Sequence, residues 1–335
     1  LMALIGLLVS VRENGGEPAQ SFWAADGDVM KQDMKEKLKE AVFDVEHALG
    51  MYASGYCTIP AEAIYDKDAL ASVMSVVKDC HIYLIGLVPR IVLENAKLEN
   101  DKLSIFMSAL GQTYEVKYPC PEGCRLQLVD DIYHVVDASG RLGWPSPQDL
   151  QARLSSISQA IDFDVKYIGQ AYGKDGSRNA LDRLLKHETL QKIALKGIPE
   201  THKLTLLLLT VVPNSQLFTF FNPFAKNKDN DGTRIRAGLE KLYETSEQER
   251  ITLYEASLIR YFSPEYNIEF KNSFPSTNLK VLQACYEKDF SALVAEICID
   301  ELPFRLRSDC VAPAHYHIAK HNLHKESDRR IFFGL

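Results

Sequence analysis

The stretch that most limits how this chain can fold is Leu204-Thr205-Leu206-Leu207-Leu208-Leu209-Thr210-Val211-Val212. A continuous apolar run of this length between turn signals reads as a central strand covered on both faces. A second β-type run, Val165-Lys166-Tyr167-Ile168-Gly169-Gln170-Ala171, ends on glycine and small residues. A polar loop, Tyr172 to Arg178, then turns the chain into a helix reaching about Leu195. Arg183 and His187 are four residues apart on that helix and are expected to project from the same side.

With 335 residues the chain can hold two or three domains and bury substantial cores. Its 46% hydrophobic and 25% charged content is that of an ordinary soluble globular protein. The formal charge of −7 argues against coating nucleic acid by bulk charge, but allows a local basic groove. Seven scattered cysteines, an odd number, suit reduced thiols in a cytosolic protein. The only close pair, Cys120-Pro-Glu-Gly-Cys124, lacks a second pair at zinc-finger spacing and reads as a turn on Pro121 and Gly123. The apolar start, Leu1 to Val11, is shorter than the ~20 residues that span a bilayer. It also lacks the basic segment of a signal peptide, so a buried first strand is expected. These features predict a protein that is not secreted and has no membrane partner, placed in the cytoplasm, nucleoid or nucleus.

Taken in order, residues 12 to 30 read as loop, Met30 to Met51 and Ala61 to Lys78 as helices, and His81 to Val88 as a buried strand. Short strands are expected over 104–109, 114–118, 125–129 and 132–136. A helix should follow from Gln148 to Ile161. Later, helical pattern runs from Thr233 to Phe262 with a break near Ser246, and Pro264 ends it. Strands return at 290–299 and 304–307. The expected class is α/β of the mixed α+β kind, in three parts. Residues 1–125 form an N-terminal α+β domain. Residues 126–272 hold a small mixed three-stranded sheet flanked by helices, and residues 273–335 a C-terminal β-rich extension. In the tail, His315, His317, His321 and His324 could present three imidazoles to a metal, or form a solvated, partly basic segment.

Glu255 stands out among the titratable residues. Its helical neighbours Ile251, Leu258 and Ile259 place its carboxylate beside an apolar stripe. A buried carboxylate must be paired or bind a cation. Either a buried arginine or a Mg²⁺ that keeps most of its water shell meets that need. Leu181, Leu184 and Leu185 define the buried side of the earlier helix, which leaves Arg183 and His187 on a solvated or substrate-facing side.

Tyr167-Ile168-Gly169, the Arg183-x-x-x-His187 helix, and a late helix bearing Glu255 with Asn267 trailing it together resemble the GIY-YIG nuclease superfamily. The resemblance covers roughly residues 131 to 270. Asp131-Ile132-Tyr133 stands where the family has Gly-Ile-Tyr, so Tyr133 is the expected first-strand tyrosine. Tyr83, in His81-Ile82-Tyr83-Leu84-Ile85-Gly86, is the second candidate, at a longer spacing. The resemblance implies a metal-dependent endonuclease acting on nucleic acid, DNA ahead of RNA, with Mg²⁺ or Mn²⁺ on Glu255. It implies in-line attack by water with a tyrosine as general base and Arg183 clamping phosphate oxygens. His187 would orient groups or relay a proton, and Asn267 would support the site. Lys174, Arg178, Lys186 and Lys192 would meet the substrate backbone, and a homo-oligomer is compatible with this reading. The other reading is a catalytically inactive nucleic-acid or protein-binding module of the same fold.

Overall fold

The computed structural model describes residues 8–11, 36, 38–158, 161–172, 180–212, 215–276 and 278–324. It is a mixed α/β protein with helices and several sheets. Among the described residues nine strands make the main sheet. In chain order its first members are β1 (Leu8–Val11), β2 (Val45–Pro60) and β3 (Ile82–Pro89). Two small antiparallel sheets follow. One is β4 (Val92–Glu99), β5 (Lys102–Ala109) and β6 (Gln112–Pro119); the other is β7 (Arg125–Val129), β8 (Ile132–Val136) and β9 (Leu142–Gly143). After a helix, Pro147–Ser158, the chain returns to the main sheet as β10 (Asp162–Gln170), β11 (His202–Val211) and β12 (Gln216–Phe221). Its last strands are β13 (Ala292–Cys298), β14 (Arg305–Arg307) and β15 (Tyr316–Asn322).

The order across the main sheet is β14-β10-β3-β11-β2-β13-β15, with β1 and β12 also paired to β2. The apolar run falls on β11, inside the sheet between β3 and β2. Its side chains alternate between two cores. Leu204, Leu206 and Leu208 join one cluster, and Leu207 and Leu209 the other. Both faces are covered, as a continuous apolar strand requires. The helix Glu247–Phe262 covers the Leu207 face, while the short helices Ala180–Leu184 and Glu188–Leu195 cover the Leu206 face. Ser246 and Glu249 form a reciprocal capping box at the start of Glu247–Phe262, which explains the break in helical pattern there.

The main sheet contains strands from residues 1–125, 126–272 and 273–335. Several element expectations are corrected by the structure. Residues 90–161 are an excursion between two neighbouring strands, since β3 pairs antiparallel with β10. The stretch read as a helix to Met51 is, from Val45 onward, the 16-residue β2, buried at most positions. Ala61 to Lys78 is a 3₁₀ turn and two short helices instead of one helix. Lys280–Glu287 is a helix inside the stretch expected to be a β-rich extension. Among the described residues no helix is long and apolar enough to cross a membrane.

Candidate active site

Tyr167 reaches its position through an irregularity in β10. The pairing with β3 shifts register between Val165 and Tyr167, the signature of a bulge. Phe163, Val165 and Ile168 all join the core under Glu247–Phe262, whereas Tyr167 packs against the opposite cluster. Strict alternation would have sent Tyr167 inward with Val165. The outer edge of β10 at this point is closed by Asn267. Its amide accepts from Ile168 N at 3.0 Å and donates to Ile168 O at 2.8 Å, and Tyr266 N donates to Lys166 O at 3.1 Å.

The residue facing this region from β3 is Tyr83, paired in register with Gly169. The Tyr83 and Tyr167 rings stack with centroids 6.2 Å apart, and His187 packs edge-on against both, at 5.4 and 5.0 Å. Gly169 is what admits them. A Cβ there would lie 2.5 Å from the Tyr83 hydroxyl and 2.8 Å from the Tyr167 ring. Tyr83 is almost fully buried and Tyr167 half-buried, so only the second phenol has access to solvent. Burial pushes the Tyr83 phenol far above its ordinary value, against hydrogen bonding to the exposed Arg183 guanidinium. Tyr167 is also raised, by burial and then by the Glu255 charge, while Arg183 and a hydrogen bond from Tyr83 act the other way.

Arg183 and His187 do not share one helix. The first helix ends at Leu184, and His187 is the N-cap of Glu188–Leu195, with its Nδ1 accepting from Leu190 N at 3.2 Å. Arg183 is exposed, but His187 is buried at 4% exposure instead of solvated. Burial, and then the Arg183 charge, lower its pKa to about 4. The imidazole is therefore neutral near pH 7, and because Nδ1 accepts, Nε2 carries the proton.

Glu255 is buried at 8% exposure beside the same group. Its carboxylate accepts from the Gln170 backbone N–H and the Gln170 side chain. Burial raises its pKa to about 8, and the charge of Glu269 adds to the rise; Gln170 and Arg183 oppose it. Near pH 7 the group is therefore mostly a neutral acid, and it is the ionised form that needs a countercharge, which Arg183 supplies only in part. One buried carboxylate with a second nearby suits a hard divalent cation that keeps most of its water. Among the described residues no set of three His, Cys, Asp or Glu side chains could cage a metal. That rules the His315–His324 group out as a three-imidazole centre among those residues.

Tyr83, Tyr167 and His187 are therefore in ring contact, Arg183 hydrogen-bonds Tyr83, and the Glu255 carboxylate, held at Gln170, acts on both phenols through its charge. Tyr133 is not among them. It lies on β8 in a separate sheet, stacked on Trp144 at 5.8 Å and donating to Asn95 at 3.0 Å. The physical reason lies in strand burial. Residues 82–89 are a nearly all-buried run suited to the sheet centre, whereas 132–136 is short, half-exposed and flanked by aspartates. Lys174 and Arg178 lie outside the described residues, and Lys186 is exposed. Of the described residues on either side of them, Ala171 N donates to His81 O at 2.8 Å and Ala180 N to Cys80 O at 2.9 Å. Sequence reasoning missed Gln170, although it directly follows Tyr-Ile-Gly at the strand end. Comparison with protein-family models, curated proteins and solved structures finds no match for this chain.

Proposed function

We propose that this chain is a metal-dependent endonuclease of the GIY-YIG type, hydrolysing phosphodiester bonds in nucleic acid, DNA ahead of RNA. The observation that carries the reading is the meeting of two tyrosines, Arg183, His187 and Glu255 around Gly169. The neighbouring of β10, β3 and β11, with a tyrosine on each of the first two, supports the same reading.

Roles follow from burial. Tyr167, with access to solvent, is the proton acceptor for the attacking water. Tyr83 is too deeply buried for that role and instead donates toward the Tyr167 oxygen, which favours its phenolate. Arg183, exposed beside them, clamps non-bridging phosphate oxygens. Glu255 would hold Mg²⁺ or Mn²⁺, whose charge favours the leaving oxygen. His187 is a neutral donor and packing partner that fixes both rings. Asn267 positions β10 without touching the reacting groups.

A catalytically silent binding module is the second reading. It is favoured by one observation: both phenols are pushed up, and a high-pKa phenol is a weak base. The test is cleavage of supercoiled plasmid, single-stranded DNA and RNA with Mg²⁺, by wild type, Glu255→Gln and Tyr167→Phe. The nuclease reading expects Mg²⁺-dependent nicking that drops ~100-fold or more in both variants. Equal activity in wild type and variants would sink it. Binding of these nucleic acids without cleavage would favour the silent module.

A further inference from the structure

A cavity lies away from Tyr83 and Tyr167, at the other end of β3. Its volume is about 380 Å³, and it opens where β2 ends at Pro60, β3 has passed into Arg90, and β11 begins. Ile64, Ile91, Leu190, Ile198 and Leu204 give it apolar walls. Arg90, Lys203 and Glu62 supply its charges. A concave, mainly apolar space of this size with a few convergent polar groups is what small-molecule sites look like.

The charges decide the ligand. Two cations and one carboxylate leave one positive charge uncompensated among the lining residues. Arg90 spends one guanidinium nitrogen on the His202 carbonyl at 3.4 Å. Lys203 forms no ion pair among the described residues, and the charges of both Glu62 and Arg90 reach it. Burial lowers its pKa, so the ammonium is held at a cost that a bound anion would offset. An apolar body satisfies the walls, and a single anionic head satisfies the rim. A plain hydrocarbon leaves the ammonium uncompensated, and an amine adds to the repulsion.

We propose that this cavity binds a monocarboxylate with an aliphatic body, its head at Lys203 and Arg90 and its chain between Ile64, Leu190, Ile198 and Leu204. The site is independent of the chemistry assigned to the tyrosines, although it shares one element with them. The Glu188–Leu195 helix has His187 at its start, in the tyrosine cluster, and Leu190 and Ala194 in the cavity wall.

Calorimetric titration of the full chain with decanoate and with decylamine tests this. Wild type should bind decanoate at one site per chain and decylamine at least tenfold more weakly. Lys203→Met keeps the apolar bulk and removes the charge, and should weaken decanoate about tenfold or more. Ala194→Trp, in the cavity wall, should block decanoate. Equal binding of decanoate by wild type and Lys203→Met would overturn the proposal. So would equal affinity for the amine, or no binding of decanoate by wild type. Lys203→Met removes a charge that the fold disfavours, so it is expected to fold even if the tryptophan variant does not.

Discussion

Around Gly169, side chains from four separated segments meet; along β15 and its flanks, four histidines close in sequence do not. His317 donates from Nε2 to the Leu306 and Ala314 carbonyls, both at 3.0 Å, and its Nδ1 faces the Tyr261 hydroxyl at 3.1 Å. His321 donates to the Ser257 carbonyl at 3.0 Å. His315 lies 3.4 Å from the Ile299 carbonyl, and His324 lies 3.3 Å from Asp289. These rings use their nitrogens to tie the last strand to neighbouring loops and to Glu247–Phe262. At Gly169 the ring of His187 uses Nδ1 alone on backbone among the described residues, and the phenols turn to one another and to Arg183. Closeness in sequence supplied candidates in the tail, but it is topology that brings chemistry together.

The largest expected effect comes from filling the space that admits the tyrosines. Gly169→Val places a branched side chain where a single Cβ already meets Tyr83 and Tyr167. Overpacking of this kind costs about 1–3 kcal/mol. The urea midpoint should fall, and any Mg²⁺-dependent cleavage should disappear even where the protein remains folded. A variant that keeps wild-type stability and activity would break the claim that Gly169 organises this face.

Glu255 in the first region and His321 in the second should also differ in the sign of their pH dependence. Glu255 titrates near pH 8 in the fold and near 4.5 when unfolded. Between those values the folded state holds a proton that the unfolded chain has lost, so stability falls as pH rises, by at most ~1.4 kcal/mol per pH unit. Glu255→Gln should therefore gain on wild type from pH 5 to pH 8, as read by thermal melting. Mg²⁺ at pH 8 should raise the wild-type melting temperature and leave the variant unchanged. His321 has the opposite sign. Its pKa is about 4 in the fold, lowered by burial, against 6.5 when unfolded. The stability it contributes is complete above pH 6.5 and is lost as pH falls toward 4. His321→Gln should flatten that acid-side loss, and His187 contributes a loss over the same window. Parallel pH curves for Glu255→Gln and wild type would refute the burial argument for Glu255.

How much of this was legible in the sequence depends on what each residue answers to. Leu204 to Val212 had to be a central strand because apolarity on both faces admits no other solution. Glu255 was visible from its helical neighbours alone, and the break at Ser246 from its capping chemistry. The partner of β10 was not legible. It depends on a 72-residue excursion, 90–161, which makes two small sheets and a helix before returning, and short spacing favoured Tyr133 over Tyr83. Burial carried the better signal, since 82–89 is apolar throughout and 132–136 is fenced by Asp130, Asp131 and Asp137. The bulge that turns Tyr167 outward leaves no mark in composition. The division of the Arg183–His187 segment into two helices was also hidden, because a histidine N-cap is not a common one.

The smallest effect separates the two tyrosines once more. Tyr133→Phe removes a hydroxyl whose hydrogen bond among the described residues is an exposed one to Asn95. Stability should change by no more than ~0.5 kcal/mol, and cleavage should not change. Tyr83→Phe removes a buried hydroxyl that lies between Arg183 and the Tyr167 oxygen. Without that donor the Tyr167 phenolate is harder to form, so cleavage should fall at least tenfold and its alkaline rise should move to higher pH. The shift in the pH profile matters more than the loss, because a merely structural tyrosine would lower activity at every pH alike. If Tyr133→Phe moved the profile and Tyr83→Phe did not, the functional pair would have to be sought across the small β7–β8–β9 sheet, and the meeting at Gly169 would be packing alone.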